Sequence, residues 1–354
     1  MMKKNIFTFL IILIAFSAIY EGCLRDNITP AFNLNMENSA LILNYLEEQG
    51  NILKTDSLSI YAQADEVYSN KNYLIIDVRS KNSFEKGHIS GAINIQNDSL
   101  VQYLNGIMLS DYTKIILVSA TGQSSSYYTC LLRLYGFYNV YSMLFGMAQW
   151  NTAFADTMIR NTKDAAFIRY LNDSLYTFPP KEPLPAVTFN NTGSDIQSKI
   201  RGRIAGLIKK GFIKDTVFVT DDYFGITRIP TEVTLDSYIV CYGNNWLYMS
   251  GKGGILGPGH LPNAVQYTPG ISLRSDTYLQ TLPSNKKIIV YGYSGDISAF
   301  VVAYLRVLGY DAKTLLYGAS GFIYSYMIEN SENFTPFIYR YGNINNFPYV
   351  TDSQ

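Results

Sequence analysis

The chain has 354 residues, 47% of them hydrophobic and 16% charged, which is enough for two domains of ordinary size, each with its own core. Its 28 basic and 28 acidic residues balance, which argues against a dedicated nucleic-acid surface and gives no reason to expect a nucleic-acid partner. Three cysteines and two histidines, widely spread, give no zinc or haem spacing, so neither a metal nor a cofactor is implied.

The chain starts MMKKNIFTFLIILIAFSAIYEGC, with two lysines, an apolar run from Ile6 to about Ile19, and Gly22 just before Cys23. This pattern reads as a secretory signal, because the run is short for a membrane-spanning helix, which needs about 20 apolar residues. Glu-Gly-Cys followed by Leu24 resembles the processing site of bacterial lipoproteins, although Tyr20 stands where a leucine is usual. The resemblance implies a signal peptide over 1–22, lipid on Cys23, and a mature protein anchored to a membrane of the cell envelope, outside the cytoplasm. The other reading is a plain signal peptide with an incidental cysteine.

Residues 23–55 are expected to form a tether followed by a helix over 39–50, closed by Gly50. A first α/β unit is expected over 56–155, where YLIID (73–77) and KIILV (114–118) are continuous apolar runs suited to parallel strands buried on both faces. Residues 156–215 read as a connection. It contains the Pro-rich piece FPPKEPLP (178–185) and an amphipathic helix over 194–211, capped by Ser194 or Asp195, with a basic face that is either solvated or inter-domain. A second unit spans 216–340 and opens its core with SYIVCY (237–242), and 341–354 is a C-terminal tail. Strands alternating with helices give the fold class α/β, with parallel sheets flanked by helices.

The two units are copies of one another. KIILVSATGQSSSYYTCLLRLYGFYNVY (114–141) recurs as KKIIVYGYSGDISAFVVAYLRVLGYDAKTLLY (286–317), and the two histidines lie upstream in GHISGA (87–92) and GHLPNA (259–264). The offset is 172 residues from His88 to His260, 173 from Ser119 to Gly292, and 173 from Gly136 to Gly309. A repeat this regular fixes the architecture as one unit used twice. The second copy carries eight extra glycine-rich residues between its first core strand and His260, within 243–259, which is either a binding edge or a tolerated surface insertion. The sequence GKGG within it lacks the features of a phosphate loop.

LIIDVRSKNSFEKGHISGAINI (74–95), the strand–loop–helix at 114–134, and a glycine before Trp150 resemble a rhodanese domain, and the second copy matches from Gly259 to about Phe322. The resemblance implies two rhodanese-like α/β domains. In that family a catalytic cysteine opens the loop, in a pattern like C-x-x-G-x-R-S. Here Ser119 and Gly292 hold the cysteine positions, while Ser124 and Ile297 hold the position that is often arginine. A serine alkoxide is hard to form and an oxygen cannot carry transferable sulfur, so the resemblance supports the fold and undercuts the activity. His88 and His260 are expected to be structural.

What remains is a loop at a helix N-terminus, whose free backbone N–H groups suit a small anion or polar group. The candidates are Ser119, Ala120, Thr121, Gly122, Gln123, Ser124 and Ser125. Their equivalents are Gly292, Tyr293, Ser294, Gly295, Asp296, Ile297 and Ser298, with Asp296 expected to cap its helix and disfavour an anion. Cys130 and Cys241 are expected to behave as small buried hydrophobes. The expected function is a non-catalytic envelope module that binds a protein partner or a small anionic ligand. The alternative is an unconventional sulfurtransferase of the thiosulfate or mercaptopyruvate type using Cys130 or Cys241. Asp-Ser/Thr-aliphatic triplets at Ser57, Ser99, Thr157, Ser174 and Thr216 resemble O-glycosylation acceptors of exported bacterial proteins.

Overall fold

An apolar run with no polar side is stable as a strand only when helices cover both faces of its sheet. In the computed structural model, which describes residues 34–50, 52–53, 59–165, 171–189, 195–213, 215–218, 237–249 and 258–352, this arrangement is built twice. The signal segment 1–22, Cys23, Ser57 and most of the glycine-rich insertion lie outside the described residues.

A helix, α1 (Leu34–Glu48), precedes the first unit, starting five residues before the expected 39–50 helix. The first unit contains β1 (Tyr61–Ala62), α2 (Ala64–Ser69), β2 (Tyr73–Asp77), α3 (Lys81–Glu85), β3 (Ile93–Asn94), α4 (Leu100–Asn105), β4 (Lys114–Val118), α5 (Gln123–Tyr135), β5 (Val140–Met143), α6 (Met147–Trp150) and α7 (Asp156–Asn161). The connection contributes α8 (Ile196–Lys210). The second unit contains β6 (Val217–Phe218), β7 (Ser237–Tyr242), α9 (Asn245–Tyr248), β8 (Ala264–Tyr267), β9 (Lys287–Tyr291), α10 (Asp296–Val307), β10 (Ala312–Leu315) and α11 (Tyr324–Glu329).

The strand orders are β1-β5-β4-β2-β3 and β6-β10-β9-β7-β8, all parallel, which is the same permutation twice. The two runs read from sequence lie side by side, with Leu74 opposite Ile115 and Ile76 opposite Leu117. One apolar cluster runs through both units without a break, joining Leu131 and Leu134 of α5 to Val301 and Leu305 of α10. A second cluster, including Val67, Ile75, Ile116 and Trp150, fills the other face of the first sheet.

The segments read as connection and tail are structural. Helix α8 is capped by Asp195, whose carboxylate accepts from the Ser198 N–H at 2.8 Å, in keeping with the expected cap. Its Ile200, Ile204 and Ile208 are buried, four residues apart on one face, against α5 and α10. Arg203 donates to the carbonyls of Val307 (2.8 Å) and Arg306 (2.8 Å) at the C-terminal end of α10. Part of the basic face is therefore inter-domain.

Each unit also sends an arm onto the other. After the first unit, Lys163 and Ala165 donate backbone N–H groups to Ser320 and Phe322, and Asn172 and His260 exchange two backbone hydrogen bonds of 3.0 and 2.9 Å. After the second unit, Val350 and His88 exchange the equivalent pair at 3.0 and 2.9 Å. Of the glycosylation-like positions among the described residues, Ser99, Thr157 and Ser174 are exposed, whereas Thr216 is fully buried and unavailable as an acceptor in the fold.

Candidate functional site

The loop after β4 and the loop after β9 each place a glycine with positive φ immediately before a helix: Gly122 (+85°) ahead of α5 and Gly295 (+90°) ahead of α10. That backbone shape suits glycine, and the surroundings require it for a second reason. A Cβ on Gly122 would fall on the Asp296 carboxylate and the Phe145 backbone nitrogen. One on Gly295 would fall on the Gln123 amide and the Tyr317 backbone nitrogen. The two loops therefore face each other across a pseudo-twofold seam.

The seam is closed by side chains from both sides. Gln123 reaches from the first loop to accept from the Tyr317 N–H at 3.0 Å. Its equivalent, Asp296, reaches back toward the Phe145 N–H. Ser294 donates to Asp296 Oδ2 at 2.9 Å, while Oδ1 completes no hydrogen bond. Burial pushes the Asp296 carboxyl up from its ordinary 3.8 to about 7. A chain of hydroxyls continues across the seam: Tyr61 and Ser126 are 2.8 Å apart, and Ser126 donates to the Asp296 carbonyl at 2.7 Å. The expectation that Asp296 caps α10 is corrected here. Gly295 holds the cap position, and the carboxylate is committed to the seam.

The candidate residues are brought together, but with little open surface. Ser119, Gly122, Gln123 and Ser125 are buried, Thr121 and Ser124 are half-buried, and Ala120 is exposed. The Ser119 hydroxyl itself takes up two of the loop's N–H groups, accepting from Gly122 (3.1 Å) and Ser125 (3.4 Å), with Ser125 Oγ 3.0 Å away. In the second loop Tyr293, Ser294, Asp296, Ile297 and Ser298 are buried, and Ser298 lies 2.7 Å from Thr314. The Gly292 carbonyl accepts from the Ala319 N–H at 2.8 Å.

No histidine is among the hydrogen-bond partners of Ser119. His88 donates through Nδ1 to the Phe84 carbonyl at 2.9 Å and stacks on the Phe84 ring at 3.6 Å. His260 donates to the Tyr248 carbonyl at 2.6 Å and stacks on that ring at 3.8 Å. Both fix turns. Sequence reading quoted Asp77 and Arg79 without assigning them a role. They form a buried pair at 2.6 Å, and the same Arg79 Nη2 donates to the Gly87 carbonyl at 2.7 Å, fastening the His88 turn to the end of β2. Cys130 and Cys241 are free and fully buried. Burial raises the Cys130 thiol well above its usual range and pushes Cys241 up to about 12. Among the described residues no group of three or more His, Cys, Asp or Glu is placed to hold a metal.

The model of the rhodanese-like domain matches residues 61–153. The thiosulfate sulfurtransferase GlpE of Shewanella oneidensis is 34% identical over 83 residues, covering 23% of this chain and 80% of that protein. The enzyme of the same name from Pseudoalteromonas translucida is 31% identical over 100 residues, covering 28% and 92%. Among solved structures, a thiosulfate sulfurtransferase from Pseudomonas aeruginosa shares 15% identity over 79% of this chain and 46% of its own, with a TM-score of 0.27. A rhodanese-related protein from Thermoplasma volcanium shares 22% identity over 27% and 91%, with a TM-score of 0.23. The strand–loop–helix at 114–135, the histidine turn and a relative one-third identical along four-fifths of its length lead to one conclusion: this chain belongs to the rhodanese-like family.

Proposed function

We propose that this protein is a non-catalytic tandem rhodanese-like module of the cell envelope, held to a membrane through lipid on Cys23, that binds a partner and does not transfer sulfur. The observation that carries this reading is the state of the two loops. Sulfur transfer needs a thiolate at the loop start, open to a donor and steadied by free N–H groups. At that place stand Ser119, whose oxygen is already held by two N–H groups, and Gly292, which has no side chain. Both lie beneath a seam closed by Gln123 and Asp296.

The relatives named above are thiosulfate sulfurtransferases, and the alternative is that this chain keeps such an activity through Cys130 or Cys241. Their burial works against it, since a thiol pushed up by desolvation supplies little thiolate at neutral pH. The lipoprotein part of the reading is supported by the lysines, short apolar run and Gly-Cys of residues 1–23. No helix among the described residues is long and apolar enough to cross a membrane.

The test is cyanide-dependent thiocyanate production from thiosulfate and from mercaptopyruvate, with the parent protein and Ser119→Cys, Cys130→Ser and Cys241→Ser variants. No turnover above buffer is expected for any of them. Ser119→Cys is included because a sealed loop withholds activity even after the missing atom is restored. Turnover by the parent that one cysteine substitution abolishes would overturn the reading and identify the sulfur carrier.

A further inference from the structure

The arm 345–352 lies in a groove of the first unit. All of its inter-unit hydrogen bonds run to that unit. Asn345 N–H donates to the Gln149 carbonyl (3.2 Å), Phe347 N–H to Trp150 (3.0 Å), and Asp352 N–H to Glu85 (3.1 Å), and Val350 pairs with His88. In return, Trp150 Nε1–H donates to the Pro348 carbonyl at 3.0 Å and Asn151 Nδ2–H to the Phe347 carbonyl at 2.9 Å. Phe347 stacks on Tyr68 at 4.2 Å, and Tyr349 meets Phe154 edge-on at 4.8 Å. The arm is thus held largely by main-chain bonds to α3, α6 and the His88 turn, with aromatic contacts added by Phe347 and Tyr349.

Two features show that the groove is not tailored to this arm. First, the second unit holds a different segment, around Asn172, by the same backbone exchange at its own histidine turn, so that part of the contact depends on main chain and not on the arm's side chains. Second, the resident arm leaves a cavity of about 310 Å³ between Pro348 and Val350 and a floor that includes Tyr73, Ile75 and Ile89. Lys71 stands at its edge, its ammonium 5.8 Å from the Tyr68 ring centre and without an ion-pair partner among the described residues. An apolar floor with one unmatched cation favours a residue bulkier than valine beside an acidic group.

We propose that this groove is a docking site for an extended, acidic segment of a partner protein, whose large apolar side chain fills the cavity over Ile75 and Ile89 and displaces the arm 345–352. The proposal rests on the binding-module reading and supplies its surface. The arm acts as a tethered competitor, so its local concentration holds the site closed until a better-fitting segment arrives.

The test uses the full-length protein and two synthetic peptides, the sequence of residues 343–354 and the same peptide with Val350→Leu, titrated by calorimetry. Phe347→Ala, which removes the Tyr68 stacking, is expected to raise peptide affinity roughly tenfold by weakening the competitor. The Val350→Leu peptide is expected to bind about fourfold more tightly than the unmodified one, the value of one more buried methylene. Lys71→Glu is expected to weaken both peptides, whose one charged side chain is the acidic Asp352, at low salt, with the loss disappearing at high salt. If Phe347→Ala fails to fold, Asn346→Ala serves instead, since it removes the Asn346 Oδ1 acceptor for the Thr152 N–H and hydroxyl. A folded, arm-weakened variant with no saturable peptide binding would overturn the proposal. So would dimerisation of the parent by arm exchange, because the occupant would then be a second copy of the chain. Neither result bears on thiocyanate production, so failure here and failure of the non-catalytic reading are distinguishable.

Discussion

At the scale of the residue, Asp296 shows how the seam is loaded. Its carboxyl is fully buried, has Ser294 as a donor to one oxygen, and is raised to about 7 by desolvation. The sign of the consequence follows from linkage. Below about pH 4 the group is neutral in both the folded and unfolded chain, and its stabilising effect is fully present. Between its ordinary 3.8 and about 7 the unfolded chain ionises first, so stability is lost as pH rises, and above about 7 the loss is complete. Asp296→Asn removes that slope. The variant is expected to exceed the parent in stability at pH 8 by an amount on the order of a few kcal/mol, with the difference shrinking toward pH 4. Urea midpoints of the two proteins from pH 4 to 8 check this, and a difference that does not vary with pH would refute it.

At the scale of the element, helix α8 ties the two units together. Its Ile200, Ile204 and Ile208 pack on α5 and α10, and Arg203 closes the C-terminal end of α10. Ile204 is fully buried, so Ile204→Ala leaves a cavity where three helices meet. It is expected to cost about 2–4 kcal/mol. Hydrogen exchange should then speed up in both α5 and α10. Faster exchange in only one of them would mean that α8 does not couple the pair. The sequence showed the helix, its cap and its period, because these are local properties of a 15-residue stretch. It did not show that the basic face meets a helix terminus about a hundred residues away.

At the scale of the whole molecule, the continuous apolar cluster, the loop-to-loop seam and the exchanged arms join the two copies into one packed body. A single calorimetric transition is expected, with calorimetric and van't Hoff enthalpies in agreement. Two separated transitions would show that the units are energetically independent. The expected boundaries at 156–215 and 341–354 therefore divide the sequence more cleanly than they divide the packing, because part of each of those segments hydrogen-bonds to the opposite unit.

The sequence by itself determined the repeat, the parallel α/β class, the resemblance that the comparisons bear out for the family, and the substitutions at Ser119 and Gly292. These follow from periodicity and residue chemistry, which are written locally along the chain. Tertiary structure alone decided that the two loops face each other. Gln123 and Asp296 lie 173 positions apart. Neither carries a mark of its partner, and each reads locally as the first residue of a helix. The same holds for Val350 and His88. A backbone hydrogen bond between distant segments depends on where two chains pass in space, and it leaves no residue-type signature for the sequence to show.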